Sequence, residues 1–228
     1  MKKAPFNIAF PRGCRLFKDM DMAGYTRICE CLKAHELHLR NKETFIRETD
    51  PCNRIGIVVS GAVRLFRQRL DGGRNVLETI PTNETFGSTY AFRDARQMGI
   101  SAAAVGETTV VLLETDKITR PCHRVCAAHM QFVRNLLTVI TQRTFTLKQK
   151  LRILSQRTIR GRLILYLNIV AKRTQSNTFD IPFDRQALAD YLCVERSALS
   201  AEIAKLRAEG RLESVKNHFV LLPTKAGT

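Results

Sequence analysis

The sequence predicts an α+β protein in three parts: an N-terminal β-roll of the jelly-roll kind, a long central helix, and a C-terminal winged helix-turn-helix. Three observations lead there. Short β-rich runs punctuated by turn residues fill the stretch from about Leu37 to Glu114. An apolar stripe at heptad spacing follows, from Val133 to Leu154. The order helix, turn, helix, hairpin closes the chain between Phe183 and Leu222. The expected boundaries are residues 1–128 for a sensor lobe, 129–155 for a dimerisation helix and 156–228 for a helix-turn-helix domain.

Each element has a local reason. Residues 1–35 read as an irregular entry and then a helix, with Ile28, Cys31 and Leu32 at helical spacing. The β-roll runs are Ile55–Ser60, Ala62–Arg69, Asn75–Ile80, Ala102–Val105 and Thr108–Glu114. Ser60-Gly61, Asp71-Gly72-Gly73 and Pro81-Thr82-Asn83 separate them. Asp-Gly-Gly between alternating segments signals a hairpin, because glycine accepts the positive φ that a tight turn requires.

Pro121 is expected to open the central helix. Val133, Leu137, Ile140, Thr144, Leu147, Leu151 and Leu154 recur at spacings that alternate between four and three. That is the narrow a/d seam of a two-stranded coiled coil, and it predicts a homodimer. Lys148, Lys150 and Arg152 fall off the stripe. Ser155 or Thr158 can cap the next helix, about Ile159 to Lys172, whose apolar face is Ile159, Leu163, Tyr166, Leu167 and Val170.

In the last segment, Asp184 caps a helix with Ala187, Leu188, Tyr191 and Leu192 on its apolar face. Cys193-Val194 form the turn, and Cys193 reads as a packing residue. The second helix buries Ala198, Leu199, Ile203 and Leu206 and stops at Gly210; Lys216-Asn217 turns a hairpin between Arg211–Val215 and His218–Leu222. A recognition helix must show hydrogen-bonding side chains at its N-terminal end, where it enters the major groove. Arg196, Ser197 and Ser200 occupy those positions. Lys205 and Arg207 lie further along, where phosphates are met, and Arg185 and Gln186 at the start of the preceding helix reach the DNA backbone.

Charge agrees with a polyanionic partner. The chain holds 37 Lys and Arg against 21 Asp and Glu, a formal +16. From Arg143 onward there are 16 basic and 7 acidic residues, about twice the charge density of the rest. The longest apolar runs fall far short of the roughly 20 residues that a membrane span needs. Seven cysteines, an odd number, in a chain with no visible export signal fit reduced thiols in a cytoplasm.

These residues carry a resemblance to the CRP/FNR superfamily of transcription regulators (cyclic-AMP receptor protein and fumarate–nitrate reduction regulator) over nearly the whole chain. In the β-roll the similar residues are Ile57-Val58-Val59-Ser60-Gly61-Ala62-Val63, the Asp71-Gly72-Gly73 turn and Phe86-Gly87. At the C-terminus they are Ile181 through Leu192 and Arg196-Ser197-Ala198-Leu199-Ser200. That block, together with Leu154 through Arg160, resembles a clostridial-type branch. The resemblance implies a cyclic-nucleotide-binding-like β-roll and a homodimer. It also implies that the dimer binds a palindromic promoter site in double-stranded DNA and contacts RNA polymerase, with no membrane partner.

Cyclic-nucleotide members of the family follow the Phe-Gly turn with Gly-Glu, and hold the phosphate with an Arg-Ser or Arg-Thr pair further on. Here Gly87 is followed by Ser88, and the later stretch reads Met98-Gly99-Ile100-Ser101, with Arg93 and Arg96 out of step. Phe86, Gly87, Ser88 and Ser101 remain as the effector-pocket candidates, and cyclic AMP is not expected to bind. A second route is a metal, haem or iron–sulfur group. Cys122, Cys126 and His129 fall on one helical face, and Cys29 and Cys31 can add ligands. The spacing is no standard metal signature, the family's N-terminal cysteine cluster is absent, and buried small residues where the β-roll meets the central helix account for these cysteines better than a metal does. No cofactor is required by the sequence, and its identity stays open. An enzyme using Cys122 and His129 is disfavoured, since no oxyanion-forming glycine turn accompanies them.

Overall fold

A computed structural model describes residues 8–51, 53–69, 73–89, 99–119 and 126–223. The chain divides into two compact units, Met1–Gln142 and Arg143–Thr228.

In the first unit a short 3-10 turn, Arg15–Phe17, precedes α1, Met22–Cys31. Asp21 starts α1 by accepting a hydrogen bond from the Gly24 amide at 2.7 Å, which satisfies one of the orphan donors of the first turn. Six strands follow: β1 His35–Leu39, β2 Thr44–Ile46, β3 Arg54–Gln68, β4 Arg74–Pro81, β5 Thr85–Phe86 and β6 Ser101–Glu114. They form one antiparallel sheet in the order β1-β6-β3-β4, with β2 on β6 and β5 on β3.

Two breaks expected from the sequence are not breaks. Ser60-Gly61 was expected to end a strand, yet β3 runs straight through it. Gly61 takes φ +75° and the register against β6 shifts twice, between Val58 and Ala62. A side chain at Gly61 would meet the Glu107 carbonyl oxygen at 2.4 Å, so the bulge needs glycine. Gly106, at φ +73°, likewise carries β6 across the gap expected between Val105 and Thr108. Arg69 N–H donates to Gly73 C=O at the β3–β4 hairpin, while Asp71 and Gly72 lie outside the described residues. The β-roll core holds Val58, Val63, Leu65, Phe86, Ile100, Ala102 and Val110. The tip of the Phe86 ring occupies the space beside Gly56, where a Cβ would fall 1.9 Å from Cζ.

The central helix, α2, is described from Ala127 to Leu154; Pro121, expected to open it, lies outside the described residues. Its first half has a face that the heptad stripe does not include. Phe132, Leu136 and Val139 are buried with Leu16, Phe17, Ile28 and Val111. Asn135, also buried, donates through Nδ2 to the Leu16 and Lys18 carbonyls at 3.0 and 2.8 Å, which fixes the entry segment on the helix.

The second unit contains α3 Ile159–Thr174, β7 Thr178–Asp180, α4 Arg185–Leu192, α5 Arg196–Ala208, β8 Leu212–Val215 and β9 His218–Leu221. Thr158 caps α3 through its hydroxyl, 3.0 Å from the Gly161 amide, and Asp184 caps α4, 2.8 Å from the Ala187 amide. Strand β7 was not anticipated; it pairs with β9 and widens the hairpin to a three-stranded sheet in the order β7-β9-β8. Leu163, Leu167, Leu188, Leu192, Leu199, Leu206 and Phe219 close one core between the three helices and this sheet.

Candidate nucleic-acid interface and sensor sites

The helix-turn-helix is α4, a turn, and α5. The turn is tight because Cys193 adopts the left-handed conformation, φ 53° and ψ 55°, and its amide bonds back to the α4 carbonyls. Cys193 was expected to pack inward; it is exposed instead, because the left-handed residue points its side chain away from the helix pair. Arg162 of α3 holds the turn from below, with Nη1 donating to the Leu192 and Cys193 carbonyls at 3.1 Å each. Arg160 fastens α3 to α5: it pairs with Glu202 and, through two parallel bonds of 2.9 and 2.6 Å, with Glu209. Those bonds hold the Glu209 carboxyl below the usual carboxylate range. Arg162 did not stand out in the sequence, and Arg160 figured there only as the end of the Leu154–Arg160 block, with no role assigned to it.

Leu199, Ile203 and Leu206 bury one side of α5. Arg196, Ser197 and Ser200 at its N-terminal end and Lys205 and Arg207 near its C-terminal end are all exposed. Arg196, Ser197 and Ser200 thus stand together at the start of α5, while Lys205, nine residues after Arg196, lies roughly half a turn around the helix from it. Gln186 is exposed on α4, and its Nε2 donates to the Asp190 carboxylate at 2.8 Å.

Arg185 is placed differently from a free surface arginine. It is half-buried, its guanidinium lies 5.7 Å from the Phe219 ring centre, and Nη2 donates to the Lys216 carbonyl at 3.3 Å. Nη1 is buried with no hydrogen-bond partner. Burial, and then the charge of Arg196, push its pKa down. Arg185, Lys216 and Asn217 share a hollow of about 440 Å³ with Pro182 and Phe183. Lys216, exposed at φ 53° in the β8–β9 turn, is a basic residue the sequence reading used only as a turn.

Along α2 the heptad stripe stays open. Leu137, Leu147 and Leu151 are 60, 64 and 67% exposed, Thr144 is exposed, and Val133, Ile140 and Leu154 are half-covered. Met130, one step ahead of the stripe, is 56% exposed and extends it. Its spacing to Val133 and Leu137 was readable.

In the β-roll, the effector candidates separate. Phe86 and Ser88 are buried, and Phe86 packs edge-on against Phe45. Ser101 pairs in register with Phe66 and lines a cleft that none of the other three candidates lines. Arg93, Arg96 and Met98 lie outside the described residues.

Of the metal candidates, Cys122 lies outside the described residues. His129 is buried, with Nε2 2.9 Å from the Ile118 carbonyl oxygen, and Cys126 is half-buried. Cys29 is enclosed in the core beside Tyr25, and burial pushes its thiol up to about 11. Among the described residues no three His, Cys, Asp or Glu side chains converge as a metal site, and no helix is long and apolar enough to cross a membrane.

Two helices joined by a tight turn, with a winged sheet behind and an exposed basic and hydroxyl-bearing helix face in front, define a DNA-binding regulator. The comparisons give it a family. Residues 36–124 match the cyclic nucleotide-binding domain family, and residues 161–226 match the Crp-like helix-turn-helix domain family. The nitrogen fixation regulation protein FixK of Bradyrhizobium diazoefficiens is 23% identical over 86% of this chain and 85% of its own. The catabolite activator protein of Thermus thermophilus is similar in fold at 20% identity, with a TM-score of 0.50 over 91% of this chain and 93% of that one. The c-di-GMP responsive global regulator CLP of Xanthomonas campestris is similar at 17% identity, also with a TM-score of 0.50, over 90% of this chain and all of that one. The chain belongs to the CRP/FNR superfamily of DNA-binding transcription regulators and is not an enzyme; the matches place it in the superfamily and in no one branch of it.

Proposed function

We propose that the chain acts as a homodimer that reads a palindromic promoter site with Arg196, Ser197 and Ser200, and that an effector other than cyclic AMP, sensed in the β-roll, controls it. The observation that carries the reading is the exposed N-terminal end of α5, where a guanidinium and two hydroxyls stand on a helix anchored by Leu199, Ile203 and Leu206. An arginine there can hold guanine through two bonds, and a serine can donate or accept. Lys205 and Arg207 meet phosphates, as does Gln186. Arg185 fits a phosphate as well: its unpartnered Nη1 gains an acceptor, and an anion relieves the repulsion between Arg185 and Arg196.

The open apolar stripe supports the dimer. Leu137, Leu147 and Leu151 expose the kind of seam that a second parallel helix covers, and Thr144 is a polar break that sets register. In the β-roll, Gly87 is followed by Ser88 and not by a glutamate, and Ser88 is buried, so that position offers no carboxylate to a ribose hydroxyl. Contact with RNA polymerase belongs to the same reading. The protein is expected to work in the cytoplasm, where its DNA and its reduced cysteines would both be found.

The test is a salt series on duplex DNA carrying a selected site. A regulator making several phosphate contacts loses affinity steeply, with a slope near −0.9 per contact. Arg185→Ala should flatten the slope by roughly one contact. A slope near zero for the unaltered protein would refute the reading.

A further inference from the structure

We propose that the cleft at one end of the β-roll, between Arg47 and Arg74, binds a small anionic metabolite bearing a carboxylate or a phosphate. This deepens the sensor reading above and rests on it. The cleft is about 400 Å³, within the usual range of small-molecule sites. Four segments supply its wall: Arg47 and Glu48 after β2, Phe66 and Gln68 at the end of β3, Arg74 at the start of β4 and Ser101 at the start of β6.

The chemistry is that of an anion clamp. Both arginines are exposed, and among the described residues neither pairs with a carboxylate. The Arg74 guanidinium lies 4.6 Å above the centre of the buried Phe66 ring, which sets its plane and leaves its edge free for a bidentate bond to an oxyanion. Ser101, nearly buried, adds a hydroxyl at the floor. Glu48 brings one negative charge against the two guanidinium charges, so the described lining keeps a net positive charge. Its Oε1 accepts from the Gln68 amide at 2.6 Å, and its remaining oxygen is suited to a hydroxyl or amine on the same ligand.

The wall is also tied together. The Glu48 carbonyl accepts from the Gly99 amide at 3.0 Å, and Arg67 Nε donates to the Gly99 carbonyl at 3.1 Å. A ligand drawn between Arg47 and Arg74 therefore pulls on the strand that begins at Ser101, directly after the segment that follows Phe86-Gly87.

The experiment is an amide chemical-shift titration of the full chain with inorganic phosphate and, separately, with citrate, at constant ionic strength. The Gln68, Gly99 and Ser101 amides should shift saturably with at least one probe, at a midpoint near or below about 1 mM. The Arg47→Ala/Arg74→Ala double variant should weaken that midpoint roughly tenfold or more with an unchanged melting temperature, and Arg47→Lys/Arg74→Lys should recover part of it. Arg196→Ala should leave these shifts intact. A shift with phosphate alone, or with citrate alone, assigns the ligand's acid group. No saturable shift with either probe, or shifts that survive the double alanine change, overturns the cleft. Duplex binding by the same preparation without probe tests the regulator reading separately, so a protein that binds DNA with a silent cleft fails only this proposal.

Discussion

The two units are stabilised over different distances along the chain. In the β-roll, Ile55 pairs with Leu113 and Phe66 with Ser101, and α2 meets the entry segment when Asn135 bonds the Leu16 and Lys18 carbonyls. In the helical unit, Thr158, Asp184 and Cys193 shape the chain through neighbours three or four residues away, with Arg160 and Arg162 adding a few longer ties. The difference teaches that the DNA-reading face is prescribed locally, whereas the sensing lobe depends on contacts that exist only once the whole sheet has closed.

The sharpest way to break that comparison is a core deletion in each unit. Phe219→Ala and Phe86→Ala each remove a fully buried ring and should cost about 3–5 kcal/mol. Calorimetry should show each change lowering the melting of its own unit more than that of the other. Equal effects of both changes on one shared transition would merge the two units into a single cooperative one.

Next in size is the seam. Leu147→Lys puts a charge in the middle of the open stripe and should turn a dimer into a monomer by sedimentation at micromolar concentration, with helix content unchanged. A dimer that persists would mean that another surface joins the copies.

Caps should cost less. Asp184→Ala and Thr158→Ala each strand one amide donor and should lose about 1 kcal/mol apiece in denaturant titration. Asp21→Ala, in the first unit, makes the same local change to α1 and tests whether caps count equally in a unit governed by long-range pairing.

The smallest effects separate the units by pH. Cys29 has its thiol raised from 9.0 to about 11 by burial, so the folded state favours the protonated form. Its stabilisation is whole below pH 9 and is lost as pH rises through about 11. Tyr25 beside it is raised further, for the same reason. Glu209 has the opposite sign. Its carboxyl is lowered by Arg160, so its contribution is present above 4.5 and fades as pH falls through the lowered value. Melting followed across pH should show the first unit weakening at the alkaline end and the second at the acid end, and Cys29→Ala should blunt the alkaline loss.

The same contrast explains what could be read from the residues alone. The helical unit was legible because its signals are short-range: Asp184 before a periodic run, Gly210 after one, Lys216-Asn217 between two β-rich stretches. Strand β7 escaped because Thr178–Asp180 is too short to show a period and exists only by pairing with β9. In the β-roll, glycines that looked like strand breaks proved to be bulges within long strands, a choice made by the partner strand and not by the local sequence. The heptad stripe was visible, but the second face of α2, Phe132 to Val139, was masked by it. Of the interface, the reading face of α5 was legible from position in the helix. The half-buried state of Arg185 and the outward turn of Cys193 were not, since both follow from how the turn and the wing close.

The most direct measurement of the central claim is selection of bound duplexes from a randomised pool by the unaltered protein and by Arg196→Ala. The account predicts enrichment of an inverted repeat with half-site centres about 10 base pairs apart, or a multiple of that, by the unaltered protein. It predicts loss of preference, worth about 1–3 kcal/mol, at one base pair of each half-site in the variant. An enriched site that is identical for both proteins, or no enrichment at all, would contradict it.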